Sequence, residues 1–162
     1  MQNKLHWAIT GKTAAEIVRD RADATKPHMG LKAWKNDPAG KILKGDVVIA
    51  KNYLNEEEIG ALERVVSMYL DYAENQTSRR ILMRMADWVG KLDAFLTFNE
   101  YEILKDAGKV SHAVAKALAE KEFEAFRVEQ DHDFESDFER EAKRVTAGVT
   151  SKNGRTPRRQ PR

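Results

Sequence analysis

Cysteine is absent from the 162 residues. Disulfides, thiolate metal sites and a cysteine nucleophile are therefore excluded together. Long apolar runs are absent as well, and no stretch approaches the ~20 residues that span a bilayer. The opening MQNKLHWAIT has neither the charged start nor the apolar core of a signal peptide. A cytoplasmic location without membrane contact is the expectation. Acid is missing from residues 147–162, AGVTSKNGRTPRRQPR, which carry Lys152, Arg155, Arg158, Arg159 and Arg162. The net charge of +2 comes from this tail, because the first 146 residues hold 23 bases against 26 acids. Internal repeats are also lacking. What remains is one domain's worth of chain, 41% apolar and able to bury a core.

The most informative stretch is KNYLNEEEIGALERVVSMYLDYAE, residues 51–74. Asn55 and Glu58 have capping-box spacing. Glu56, Glu57 and Glu58 complement the helix dipole in the first turn. Ile59, Leu62, Val65, Val66, Tyr69, Leu70 and Ala73 form one apolar stripe on a 3.6-residue period. A helix from Asn55 to about Asn75 follows. Thr13 and Glu16 make a second capping box, opening a helix through Ala24 that the Lys26-Pro27 step ends. A third helix is expected from Met85 to Leu104, with Met85, Trp88, Val89, Leu92, Phe95, Leu96 and Ile103 inward and Gly108 as its stop. Ser111 caps a fourth, with Val114, Ala117, Leu118 and Phe126 inward. Between the first two, Asp37-Pro38-Ala39-Gly40 signals a turn, and Val47-Val48-Ile49 fits a strand or a buried extended linker. The fold class is thus all-α. It is a bundle of about four main helices with an irregular or β-hairpin insert near 31–50, comprising residues 3–146, followed by a disordered basic tail over 147–162.

Residues that bear chemistry are few. Gly11-Lys12-Thr13 lacks the preceding glycine of a phosphate loop, since His6 stands in its place, and a turn before a capped helix explains it. His6, His28, His112 and His132 show no ligand spacing, so no metal is expected. Neither a serine elbow nor a cofactor motif is present. Two groups remain. The charged run Arg19, Asp20, Arg21 and Asp23 leads into His28. An Arg–Asp pair there could anchor residues 26–54, or Arg21, Asp23 and His28 could line a pocket with Lys51, Asn52 and Tyr53. Arg79, Arg80 and Arg84 lie around the connection between the middle helices, as helix-terminal charge or phosphate contacts. The tail arginines suit weak, sequence-independent nucleic-acid binding. Ten acids between Glu120 and Glu141 oppose such binding by the body.

Three runs, Asn3 to Trp34, Lys41 to Glu74 and Met85 to Phe126, closely resemble the RhuM family of bacterial virulence-associated proteins. The resemblance extends from Asn3 to about Val145. It implies a bacterial cytoplasmic protein of the kind found in pathogenicity islands and beside restriction-modification clusters. It also implies a family member roughly twice this length, of which this chain resembles the C-terminal half. Relatives are described as DNA-binding or grouped with Fic/Doc proteins. Fic chemistry needs a His-Pro-Phe loop and a Gly-Asn-Gly-Arg cradle, and this chain has neither. No catalytic residue can be carried over.

The functional expectation is a non-enzymatic interaction or regulatory module. It would act with nucleic acid, bound weakly and non-specifically in the case of DNA, through an N-terminal half or the basic tail. The alternative is a Fic/Doc-like enzyme with an altered site around His28 and Lys51–Tyr53. Self-association through the last helix is also expected, because Phe123, Phe126, Phe134 and Phe138 share a segment too long for the body to cover.

Overall fold

A computed structural model describes residues 1–134, 139 and 142–144. The described residues are all-α, and no strand occurs among them. Within residues 1–134 the α-helices are, in order, α1 (Gln2–Thr10), α2 (Ala14–Arg21), α3 (Glu56–Ser78), α4 (Met85–Phe98) and α5 (His112–Asp133). Short 3₁₀ turns occupy Pro27–Gly30 and Ala50–Tyr53. Two compact units divide at Val128 and Glu129.

The local signals for α2 and α3 hold. Thr13 caps α2 with a capping box in which the Glu16 carboxylate accepts the Thr13 N–H at 2.8 Å. Asn55 does the same for α3, accepting the Glu58 N–H at 2.8 Å while Glu58 accepts the Asn55 N–H at 2.9 Å. These reciprocal bonds satisfy two otherwise orphaned donors at each helix start. α2 stops at Arg21, three residues before the expected end at Ala24.

Two apolar clusters fill the first unit. One gathers Ile17 and Val18 of α2, Met29, Leu31, Trp34, Ile42 and Val47 of the insert, Tyr53 and Leu54, and Ala115, Ala119 and Phe123 of α5. The other sets Val65 and Tyr69 of α3 against Leu92 and Leu96 of α4, with Leu5, Ala8 and Ile9 of α1 packed on it. α3 serves both, since Ile59 and Leu62 in its first half pack on the first cluster. Across the α3–α4 pair the Tyr69 hydroxyl donates to the Trp88 carbonyl at 2.7 Å, and Lys4 of α1 bonds Asp93 of α4 at 2.6 Å.

Several expectations need correction. Residues 2–10 form a further helix, α1, whose Leu5, Ala8 and Ile9 find their apolar partners only in the fold. α4 ends at Phe98 rather than Leu104. Its stop is Glu100 at φ 63°, with Glu100 N–H on Thr97 O at 3.0 Å and Tyr101 N–H on Leu96 O at 2.9 Å. This is the Schellman pattern with glutamate where glycine is usual, and Tyr101 packs back on the α4 cluster. Gly108 instead turns the chain under Thr13, and at its φ of 83° an added Cβ would come 2.6 Å from the Thr13 Cγ2. Leu70 is 61% exposed and Met85 70% exposed, because Tyr69 and Leu92 take the inward places.

The insert is irregular and contains no hairpin. Side chains do the work of a ladder: Asp46 accepts from the Leu43 N–H at 2.9 Å, Asn52 donates to Asp46 O at 2.9 Å, and the Trp34 indole donates to Gly40 O at 2.8 Å. Val47-Val48-Ile49 is a run of turns, with Ile49 N–H on Asp46 O at 3.2 Å. In the last helix Phe123 is buried and Phe126 is half-buried against the first cluster, so two of the four phenylalanines are covered within the first unit. Phe134 is half-buried. Phe138 and the basic tail lie outside the described residues.

Candidate functional site

Arg21, at the C-terminus of α2, is the centre of the first candidate group. Its guanidinium grips Glu58 with two bonds of 2.6 Å and donates to the Tyr53 carbonyl at 2.7 Å. A bidentate fork of this kind adds geometric as well as electrostatic definition. Hydrogen bonding from Arg21 is the chief reason the Glu58 carboxyl sits below the usual glutamate value, and the same bond raises Arg21. Glu58 therefore closes the α3 cap and fastens α2 to α3. The anchoring pair is Arg–Glu, not Arg–Asp. Asp20 faces outward instead, taking Lys12 at 2.7 Å and Arg19 at 2.6 Å.

Arg21 and Tyr53 border a cleft of about 380 Å³, with Lys26, Pro27, Gly30, Lys32 and Asn55. Gly30 makes the cleft wall possible. Its φ is 81°, and a Cβ there would fall 2.3 Å from the Arg21 carbonyl oxygen. A neighbouring hollow of about 570 Å³ shares Lys32 and Asn55 and is edged by Glu56 and Glu57. Lysines and acids thus line adjoining hollows, which disfavours a simple anion site.

Of the pocket candidates, Arg21 and Tyr53 reach the cleft, and Asp23, His28, Lys51 and Asn52 do not line it. Tyr53 is 1% exposed and its hydroxyl donates to Val47 O at 2.7 Å; burial pushes its ionisation upward, away from neutral pH. Asn52 turns to Asp46. Asp23 accepts from the Thr25 hydroxyl at 2.6 Å, and that bond leads the causes lowering its carboxyl. Lys51 is exposed and lines none of these hollows. His28 is exposed at φ 53° and rests on the Trp34 ring, centroids 4.8 Å apart. The cleft members outside the predicted pocket are Lys26, Pro27, Gly30, Lys32 and Asn55. Asn55 was visible only as a cap, and the two lysines carried no signal beyond their charge.

The second group brackets the connection between α3 and α4. Arg79 is the C-cap of α3, Arg80 follows at φ 56°, and Arg84 is the N-cap of α4. All three are exposed. Lys152, Arg155, Arg158, Arg159 and Arg162 lie outside the described residues.

Among the described residues no group of three or more histidines, cysteines or acids could hold a metal ion. No helix among them is long and apolar enough to cross a membrane. No curated protein and no solved structure matches the chain. A family model described as the Virulence protein RhuM family matches residues 1–135. That span includes both capping boxes, the stitched insert, the arginine turn and the whole of α5, and the chain therefore belongs to the virulence protein RhuM family.

Proposed function

We propose that this RhuM-family chain is a non-enzymatic interaction or regulatory module that acts with nucleic acid. One contrast carries the reading. The polar groups best suited to chemistry are consumed in holding the fold, whereas Arg79, Arg80 and Arg84 are exposed on a stretch without acid. Proton transfer needs a titratable group free in a cleft. Here Arg21 is tied to Glu58 and Tyr53, and the Tyr53 hydroxyl is tied to Val47. Exposed arginines, in contrast, lower their energy when they replace the counterions of a phosphate backbone. The arginine-rich tail and the upstream half expected from the family resemblance would add to this surface.

Fluorescence anisotropy with a labelled duplex tests the reading. The full chain should bind at low salt, and affinity should fall by orders of magnitude between about 50 and 200 mM salt. A chain ending at Thr146 should bind more weakly and with a shallower salt dependence. Absence of binding by the full chain to duplex or single-stranded nucleic acid at low salt would refute the proposal.

A further inference from the structure

The connection between α3 and α4 combines three features that occur together nowhere else among the described residues. The first is charge. From Asn75 to Ala86 the sequence is NQTSRRILMRMA, with three arginines and no acid. Asp87, the first acid beyond it, directs its carboxylate to the Arg84 backbone N–H at 2.8 Å.

The second is an apolar tip. Leu82 is 99% exposed, with Met85 at 70% and Ile81 at 41% beside it in sequence. A leucine fully in water between arginines contributes nothing to the core.

The third is a fixed backbone. Arg80 N–H bonds Thr77 O at 2.9 Å and Ile81 N–H bonds Gln76 O at 3.1 Å, which is a Schellman closure. Arg80 holds the left-handed position that glycine fills at least cost, at φ 56°. Strain of this kind persists where the side chain has a use. At the base of the turn the Tyr69 hydroxyl bonds Trp88 O, and Gln76 is buried.

We infer that this turn docks on duplex DNA, with Arg79, Arg80 and Arg84 on phosphates and Leu82 wedged into the minor groove. The inference deepens the nucleic-acid reading above and rests on it. Guanidinium forks match phosphate oxygens. Apolar wedges flanked by basic side chains are how minor-groove proteins partly unstack a base step. The five steps of chain from Arg79 to Arg84 cannot span more than about 18 Å. Long side chains at its two ends can therefore straddle a groove about 6 Å wide. A duplex is favoured over a single strand because single-strand platforms use aromatic rings for stacking. The tip carries Ile81, Leu82 and Met85 and no ring. The cleft beside Arg21 is a poorer anion site, since Arg21 is already paired with Glu58 and the adjoining hollow is lined by Glu56 and Glu57.

The test uses the full chain and a duplex with 2-aminopurine at a central step, titrated across salt. Arg79→Ala, Arg80→Gly and Arg84→Ala together should lower the slope of log affinity against log salt by about 2.7, at about 0.9 per phosphate. Arg80→Gly alone should lower it by about 0.9 while its unfolding midpoint stays at or above the parent value, which separates binding from folding. Leu82→Ala should leave the slope unchanged, weaken binding about tenfold and abolish the rise in 2-aminopurine emission. Failure of the parent chain to bind any nucleic acid removes the underlying reading. Parent-like binding by the turn variants leaves that reading standing and overturns this inference. The inference is likewise overturned if the same substitutions abolish binding to phosphatidylglycerol vesicles but not to the duplex, because the turn would then be a lipid contact.

Discussion

Removing the Glu58 carboxylate should cost more than either of its two roles alone. Glu58→Ala deletes the reciprocal half of the α3 cap, where Glu58 accepts the Asn55 N–H at 2.9 Å. Cap losses run at about 1 kcal/mol. The substitution also leaves Arg21 without its partner. A fully buried pair broken on one side costs about 3–5 kcal/mol. Here the side chains retain 29% and 18% exposure, so water recovers part of that and about 1–2 kcal/mol is the appropriate share. The total is about 2–3 kcal/mol. Glu58→Gln keeps an acceptor for the cap but not the charge, and should fall between. Arg21→Ala removes the bond to the Tyr53 carbonyl as well. Urea denaturation of the two single alanine variants and the double variant yields the coupling directly. A coupling of about 1 kcal/mol or more is expected. The acid side adds a signature. The folded Glu58 value lies below the ordinary 4.5, so the unfolded chain binds protons first as pH falls. Its contribution is complete above that value and is lost as pH drops through the lower folded one. Additive single variants, or an unchanged acid limb in Glu58→Gln, would refute the reasoning.

Other substitutions probe the rest of the fold. Leu92→Ala, at a fully buried α4 position, should cost about 2–5 kcal/mol in chemical denaturation, whereas Leu70→Ala on exposed α3 surface should change stability by less than about 0.5 kcal/mol. Gly30→Ala should cost about 2 kcal/mol or more by the same assay, because a side chain meets the Arg21 carbonyl and opposes a φ of 81°. His6 is buried with Nδ1 lacking a hydrogen-bond partner, and burial lowers its ionisation below the ordinary 6.5. Its neutral form is the stable one, so stability should fall as pH drops below about 6.5 toward the folded value. His6→Met should raise the melting temperature and flatten that limb.

The parts of this fold legible in sequence are those whose causes are local. The α2 and α3 starts need only a side chain and a backbone N–H three residues apart. The parts that were not legible depend on distant partners. The end of α4 looks like nothing in sequence, since Glu100 takes the left-handed position, and only Tyr101 packing on the α4 cluster makes that acceptable. The α3 stripe contained both Tyr69 and Leu70, and the choice between them was made by α4, where Trp88 O accepts the tyrosine hydroxyl. The insert offered turn signals but not the bonds from Asp46, Asn52 and Trp34 that replace a ladder.

The candidate site divides along the same line. Residue type singled out Arg21, Asn52 and Tyr53, and each proved to be a staple because a partner 32 to 37 residues away, or a carbonyl in the insert, had claimed it. A polar side chain brought into a core must satisfy its hydrogen bonds there, so the most reactive residue types are the first to be used up structurally. Arg79, Arg80 and Arg84 escaped that fate for a reason visible in sequence. Their stretch holds no acid, and both helix ends beside them close through backbone bonds or through Asp87. Charge left over after the fold has satisfied itself is the better guide to a partner than charge of the right chemical type.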